Sequence, residues 1–230
     1  MFSKLKTLTN GQILFALLAG DLLFIFMHIL HEAPNELIPV FSSNAFLISK
    51  DNSIGEGFQY AKEYWIMLAF FLLAFRYRKF AYLGWGVLFT YILVDDIIRI
   101  HEPAGELLGT VLSGMVFFRS RPELPLPIGE LTFFASLGLL LVILLSIPYL
   151  RSDRETKRVY HHIFLMILVF AFFGGVVDFL YLLVNPGQIG QKLFKLIEDG
   201  GEMIVMSVIC WYAYSLFLKI QSETAKINPP

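Results

Sequence analysis

The sequence predicts an all-α integral membrane protein, built as a single bundle of about six transmembrane helices over residues 1–230. Hydrophobic residues make up 57% of the chain and charged residues only 16%, whereas charged residues reach about 25% in ordinary soluble domains. The apolar residues form long continuous stretches, and one helical span needs roughly 20 of them. The short connections leave no room for a separate water-soluble domain.

The apolar stretches predict spans near residues 11–32, 59–76, 80–102, 129–149, 160–184 and 193–218. The first stretch follows Lys4 and Lys6, as a signal peptide would. However, Asp21 interrupts it and no small-residue cleavage site ends it, so we expect an uncleaved helix.

The distribution of lysine and arginine predicts the orientation, because cytoplasmic loops carry the excess of positive charge. Basic residues precede the first span, follow the last, and lie between spans two and three and between spans four and five. Both termini are therefore expected in the cytoplasm of a bacterial cell, with the protein in the inner membrane. These residues are Lys4, Lys6, Arg76, Arg78, Lys79, Arg151, Arg154, Lys157, Arg158, Lys219 and Lys226.

Charge and cysteine content exclude several classes of function. The net charge of -1 provides no basic face for phosphates, which argues against nucleic acid as a partner. The single cysteine, Cys210, excludes a disulfide framework and cysteine-based zinc sites.

The acidic residues gather on the opposite side from the basic ones. Of 19 Asp and Glu residues, only Asp153, Glu155 and Glu223 fall in the predicted cytoplasmic segments. Carboxylates inside the hydrocarbon layer cost several kcal/mol unless they are paired, protonated or hydrated. The depth of the acids in spans three, five and six predicts a shared layer in the outer leaflet.

This layer predicts a divalent-metal centre. Span one ends in His31-Glu32 and span three in His101-Glu102, each followed by a proline and a second glutamate. Carboxylates and imidazoles from facing helices are the ligands of metal sites in helical bundles, and this mixture suits Zn, Mn or Fe. The expected ligands are His31, Asp95, His101, Glu102, Asp178, Glu198 and Glu202.

A catalytic reading of the same residues uses the metal to activate water or oxygen, with a spare carboxylate as general base. Asp95 and Glu102 are the expected catalytic acids, and Arg99 is expected to orient them or to anchor an anionic substrate. In a purely structural reading, Arg99 instead neutralises Asp95, Asp96 and Glu102 in a buried ion-pair network.

Other features have both a functional and a structural interpretation. Glu63 and Glu130 are expected at outer helix starts, where the helix dipole favours acids without chemistry. The glycine pairs 174–175 and 200–201 allow either ordinary helix packing or a close approach to the acids. The outward loops 33–57 and 103–128 are interfacial segments that cover the site, or loose loops.

Two strings resemble a group of uncharacterised bacterial multi-span membrane proteins. They are Val94-Asp95-Asp96-Ile97-Ile98-Arg99-Ile100-His101-Glu102 and Ile197-Glu198-Asp199-Gly200-Gly201-Glu202-Met203. The chain departs from that group at Asp96 and Asp199, where glutamate is more usual. The resemblance nominates sites in spans three and six and implies no activity.

The sequence thus favours a metal-dependent membrane enzyme that acts on a lipid or another apolar substrate. A proton- or cation-coupled transporter is an alternative, because intramembrane acids and histidines also serve ion relays. An accessory subunit of a larger membrane complex is another. Membrane lipids are expected partners in each case, with a homo-oligomer or partner membrane subunits also open.

Overall fold

The computed structural model describes residues 10–32, 43–50, 52–115, 124–184 and 187–227. This part of the chain consists of helices and their connections and contains no β-strand, which confirms the all-α class. The helices are α1 (Asn10–Glu32), α2 (Ile54–Phe75), α3 (Leu83–Ile98), α4 (His101–Ser113), α5 (Pro125–Leu150), α6 (Arg154–Ala171), α7 (Asp178–Val184) and α8 (Gly187–Ile227). Short 3-10 turns lie at Asn44–Phe46 and Phe80–Tyr82.

Five helical segments of the described chain are long and apolar enough to cross a membrane: Asn10–Glu32, Phe80–Ile98, Pro125–Leu150, Arg154–Tyr181 and Gly187–Thr224. They correspond to predicted spans one, three, four, five and six. Helix α2 has 22 residues, about 33 Å at 1.5 Å per residue. It is not among the five, and charged residues occupy its first half.

The third span ends earlier than its hydropathy predicts. Helix α3 stops at Ile98, and Arg99 takes a left-handed backbone conformation with φ of 54°. The Arg99 N–H closes the last turn by donating to the carbonyl of Asp95 over 2.6 Å. A new helix, α4, then begins at His101 within what the sequence predicts as span and outward loop.

Helix α4 lies against the start of α5 because glycines remove the side chains between them. A Cβ atom on Gly129 would lie 2.3 Å from the carbonyl oxygen of Gly105. The opposite face of α4 exposes Leu107 and Val111. This confirms an ordered amphipathic segment over part of loop 103–128, while residues 116–123 lie outside the described residues.

Helices α2 and α8 form the centre of the bundle. Phe70 and Leu73 of α2 pack with Phe89 of α3 and with Met206 and Ile209 of α8 in one buried core. Helix α5, in contrast, leaves most of its apolar side chains exposed, as expected where lipid is the surrounding solvent. The core therefore fixes α2, α3 and α8 relative to one another, and these are the helices that carry the acids.

Candidate functional site

A cavity of about 350 Å³ lies between the start of α2, the junction of α3 and α4, and α8. Ile48, Ser49 and Lys50 of the segment before α2 complete its wall. Its charged and imidazole side chains come from elements that are far apart in the sequence: Lys50, Glu56, Asp96, Arg99, His101, Glu102, Glu198, Asp199 and Glu202. Six carboxylates thus share one space with two full cations and one imidazole.

Asp95 holds His101 in place from behind. The main-chain N–H of His101 donates to Asp95 Oδ1, and its ring Nδ1 contacts Oδ2, each over 2.9 Å. A carboxylate only accepts hydrogen bonds, so Nδ1 carries the proton. Nε2 is then the ring nitrogen that remains for a metal or for proton transfer, as in histidine ligands oriented by a carboxylate.

Asp96, and not Asp95, lines the cavity. Consecutive residues on a helix point about 100° apart, so the two carboxylates serve different purposes. Asp95 is buried against His101, whereas Asp96 faces the shared space. The sequence analysis nominated Asp95 as a ligand and left Asp96 out, because spacing alone does not show which of two adjacent acids faces inward.

Arg99 lies at the rim with acids on both sides. Its Nη2 is 3.8 Å from Glu56 of α2, and its Nη1 is 3.5 Å from Glu102 of α4. The left-handed backbone at Arg99 turns the chain between α3 and α4. Glu102 was expected beside Arg99, but Glu56 was not, because it lies more than forty residues earlier.

A buried acid, Glu63, lies next to the cavity residues Asp96 and Glu202. Glu63 was expected at the outer start of a helix, but α2 begins nine residues earlier, at Ile54, and the Glu63 side chain is 0% exposed. The carboxyl groups of Asp96 and Glu202 are close enough to act on it electrostatically. Glu63 makes a side-chain hydrogen-bond contact with the Asp96 carboxyl group, and no N–H or hydroxyl group of the described residues donates to its oxygens.

One turn before Glu63, Gln59 lines the cavity and is 7% exposed. Its carbonyl oxygen is buried and has no hydrogen-bond partner among the described residues. Residues four apart on a helix share one face, so Gln59 and Glu63 point the same way. The face of α2 toward the cavity therefore carries three oxygens that accept no hydrogen bond from an N–H or hydroxyl group of the described residues.

Glu202 rests on a widened turn of the fifth span. Residues Phe172–Val177 form a π-helix between α6 and α7, a feature common at functional sites. A Cβ atom on Gly174 would lie 1.9 Å from Glu202 Oε1. Gly174 is thus required for the carboxylate to lie where it does, which supports the site interpretation of the glycine pair 174–175.

Below the cavity, Lys62 is buried in a complete set of acceptors. Its ammonium group donates to Asp21 Oδ1 over 2.9 Å, to the carbonyl of Met203 over 2.8 Å and to Ser207 Oγ over 3.3 Å. Three acceptors match the three protons of an ammonium group. The sequence analysis passed over Lys62, although a lysine inside an apolar run was a visible signal.

The remaining predicted ligands are distributed differently. Glu198 and Glu202 lie in the cavity wall, but His31 is at the end of α1 and is not part of that wall. His28 accepts a hydrogen bond from the Ile48 N–H over 3.2 Å and so anchors the segment before α2. Asp178 begins α7, and its side chain lies outside the described residues.

No three His, Cys, Asp or Glu side chains of the described chain are already spaced to hold a metal ion. The donor chemistry nevertheless fits a divalent cation, because carboxylates and one oriented imidazole surround a single cavity. Binding would require side-chain rotation within the cavity, which its volume permits.

Residues 16–218 match the family model of a domain of unknown function, DUF8692. The chain therefore belongs to this family. Neither the curated proteins nor the solved structures with which the chain was compared contain a match.

Proposed function

We propose that this protein is a metal-dependent membrane enzyme whose divalent cation binds in the acidic cavity. The observation that carries the proposal is the pairing of Asp95 with His101 on the wall of a cavity rich in carboxylates. The revised ligand set is His101, Asp96 and Glu202, with Glu102 and Glu198 nearby and Asp95 orienting the imidazole. Zn, Mn and Fe remain the candidate ions.

Charge balance supports a bound cation. Six carboxylates but only two cationic side chains, Arg99 and Lys50, are among the described residues that line the cavity. Like charges that share a site repel one another, and either protons or a cation must relieve that repulsion. A divalent cation does so while leaving the carboxylates available as ligands.

The chemistry of the residues is suited to hydrolysis or proton transfer. A bound divalent ion supplies Lewis acidity and a bound water of lowered pKa. Glu102, at the start of α4, is positioned to accept a proton near His101, and Arg99 can hold an anionic group. A cavity of this volume is large enough for the head of a substrate.

Access from the membrane supports a lipid or other apolar substrate. Helix α4 begins in the cavity wall at His101 and presents Leu107, 69% exposed, and Val111 on its outer face. Amphipathic helices of this kind lie in the plane of the membrane interface. We place the cavity in the outer leaflet of a six-span bundle, with α2 as the remaining span and both termini cytoplasmic.

A proton- or cation-coupled transporter is the second candidate, favoured by the Asp21–Lys62 pair below the cavity. A transporter also needs a polar route onward to the other side. Beyond Ser207, the described core around Ile209 and Ala213 is apolar. The enzyme proposal accounts better for a site that opens toward one side.

The test is the metal content of detergent-purified protein after loading with Zn²⁺, Mn²⁺ or Fe²⁺ and removal of free ion, measured by elemental analysis. Wild-type protein is expected to retain one of these ions in stoichiometric amount. Since losing one ligand leaves the remaining acids repelling one another, His101→Ala and Glu202→Gln should each lower retention at least tenfold.

His161→Ala is the matched control, because His161 pairs with the Tyr149 hydroxyl and not with a carboxylate. It should retain the ion as wild type does. Folded wild-type protein that retains none of the three ions, or an unchanged content in His101→Ala, would contradict the proposal.

A further inference from the structure

We propose a second cation site at the edge of the cavity, next to Glu63, made only of oxygen ligands and specific for a hard divalent cation of the Ca²⁺ class. Its ligands are the Glu63 carboxylate, the Gln59 carbonyl oxygen, Asp96 and Glu202. It shares Asp96 and Glu202 with the proposed metal centre but uses Glu63 and Gln59 in place of His101.

Glu63 is a buried acid in contact with another acid. This carboxyl group is fully buried, no N–H or hydroxyl group of the described residues donates to it, and its side-chain hydrogen-bond contact is with another acid, Asp96. Burying an isolated carboxylate is very costly unless it is paired or binds a metal. Two carboxyl groups in contact repel each other when both are charged, so either a shared proton or a bound cation must relieve that repulsion.

The cationic side chains nearest in the fold, Lys62 and Arg99, already have other partners. Lys62 follows Gln59 on the same helix and immediately precedes Glu63, yet its three protons are already donated to Asp21, Met203 and Ser207. Arg99 is at the rim, in contact with Glu56 and Glu102. Lys62 therefore acts on Glu63 electrostatically, whereas it compensates Asp21 by a direct ion pair.

The candidate ligand atoms at this position are all oxygens. The Gln59 carbonyl oxygen lines the cavity, is buried, and has no hydrogen bond from the described residues. Asp96 and Glu202 act electrostatically on Glu63 and also line the cavity. Carboxylates together with an amide carbonyl, without imidazole or sulfur, are the ligands that Ca²⁺ takes.

The experiment measures thermal unfolding of the detergent-purified chain in EDTA and with added Ca²⁺, together with Ca²⁺ binding by calorimetry. A ligand that binds only the folded state raises the melting temperature, so Ca²⁺ should raise that of the wild type. Glu63→Gln should weaken Ca²⁺ binding at least tenfold and should melt higher than wild type in EDTA, since the uncompensated charge is gone.

Two further variants separate this site from the metal centre. His101→Ala should lose Zn²⁺, Mn²⁺ or Fe²⁺ but keep the response to Ca²⁺. Glu106→Gln removes an exposed acid of α4 outside the cavity and should respond as wild type does.

If Glu63→Gln does not fold, Gln59→Leu takes its place, because it removes one neutral ligand without changing charge and should weaken Ca²⁺ binding several-fold. A wild-type melting temperature that Ca²⁺ leaves unchanged overturns the proposal. So does a full Ca²⁺ response in Glu63→Gln or in Gln59→Leu, which would mean that Glu63 and Asp96 are compensated by a shared proton.

Discussion

Lys62 and Glu63 are adjacent on α2 and equally buried, at 2% and 0% exposed, yet their surroundings are opposite. Lys62 has a carboxylate, a carbonyl and a hydroxyl around it, one acceptor for each proton. Apart from Lys62, the groups that act electrostatically on Glu63 are other acids, Asp96 and Glu202. The fold itself compensates the charge of Lys62, whereas Glu63 needs either a proton shared with Asp96 or the cation proposed above.

The largest effect should come from breaking the buried ion pair between Asp21 and Lys62. Lys62→Met leaves Asp21 buried without its cation and should lower the free energy of unfolding by about 3–5 kcal/mol, the usual result of removing one partner from a buried pair. The measurement is thermal or denaturant unfolding in detergent.

The double variant Asp21→Leu with Lys62→Met is the control for that experiment. Replacing both partners with apolar residues should recover most of the loss, since a buried pair and a well-packed apolar pair are often equally stable. If Lys62→Met is as stable as wild type, the Asp21–Lys62 ion pair does not stabilise the fold.

A second substitution tests the acidic cavity, through the position of the Glu202 carboxylate. Gly174→Ala places a methyl group where Glu202 Oε1 now lies, and the flexible end of Glu202 can move away at little cost. The melting temperature should therefore change little, by less than about 1 kcal/mol in unfolding free energy, while retention of the metal ion falls about tenfold.

Gly138→Ala is the matched control, because a Cβ atom there meets no atom within 4 Å. It should leave metal retention as in wild type. Equal metal retention in the two glycine variants would show that the position of Glu202 is unimportant for binding.

The smallest expected effect concerns the rim. Arg99 has a left-handed backbone, which costs a residue with a Cβ atom about 1 kcal/mol relative to glycine. Arg99→Gly should therefore be about 1 kcal/mol more stable than Arg99→Gln, although both remove the guanidinium group. Both should retain the metal ion and lose affinity for an anionic substrate.

Comparing the two variants by thermal unfolding and metal content isolates backbone strain from charge. Unfolding of both variants, with or without metal, would instead favour the structural ion-pair interpretation of Arg99.

The sequence predicts the helical class and most of the long apolar helices well, because continuous hydropathy is a local property. The end of α3 is missed, since hydropathy continues to Ile100 while the backbone turns at Arg99. Six spans, the orientation and the metal remain predictions.

The site is less predictable because it depends on which way each side chain points. Asp95 and Asp96 are equivalent in hydropathy and charge, but only the fold assigns one to His101 and the other to the cavity. Glu63 is misjudged for the same reason: its burial results from α3 and α8, which lie far away in the sequence. His101, Glu102, Glu198 and Glu202 were nominated from their motifs and do lie in the cavity wall.

Helix α8 has 41 residues without a break, so at 1.5 Å per residue it is roughly 60 Å long, about twice the thickness of the hydrocarbon core. Glu202 lies at the cavity, while Lys219, about 25 Å further along the same axis, approaches Glu155 of α6 to 3.7 Å. An unbroken helix of this kind moves as one stiff body. Because Glu202 and Lys219 belong to one unbroken helix, a displacement of α8 along its axis at Lys219 would carry Glu202 and the cavity wall with it.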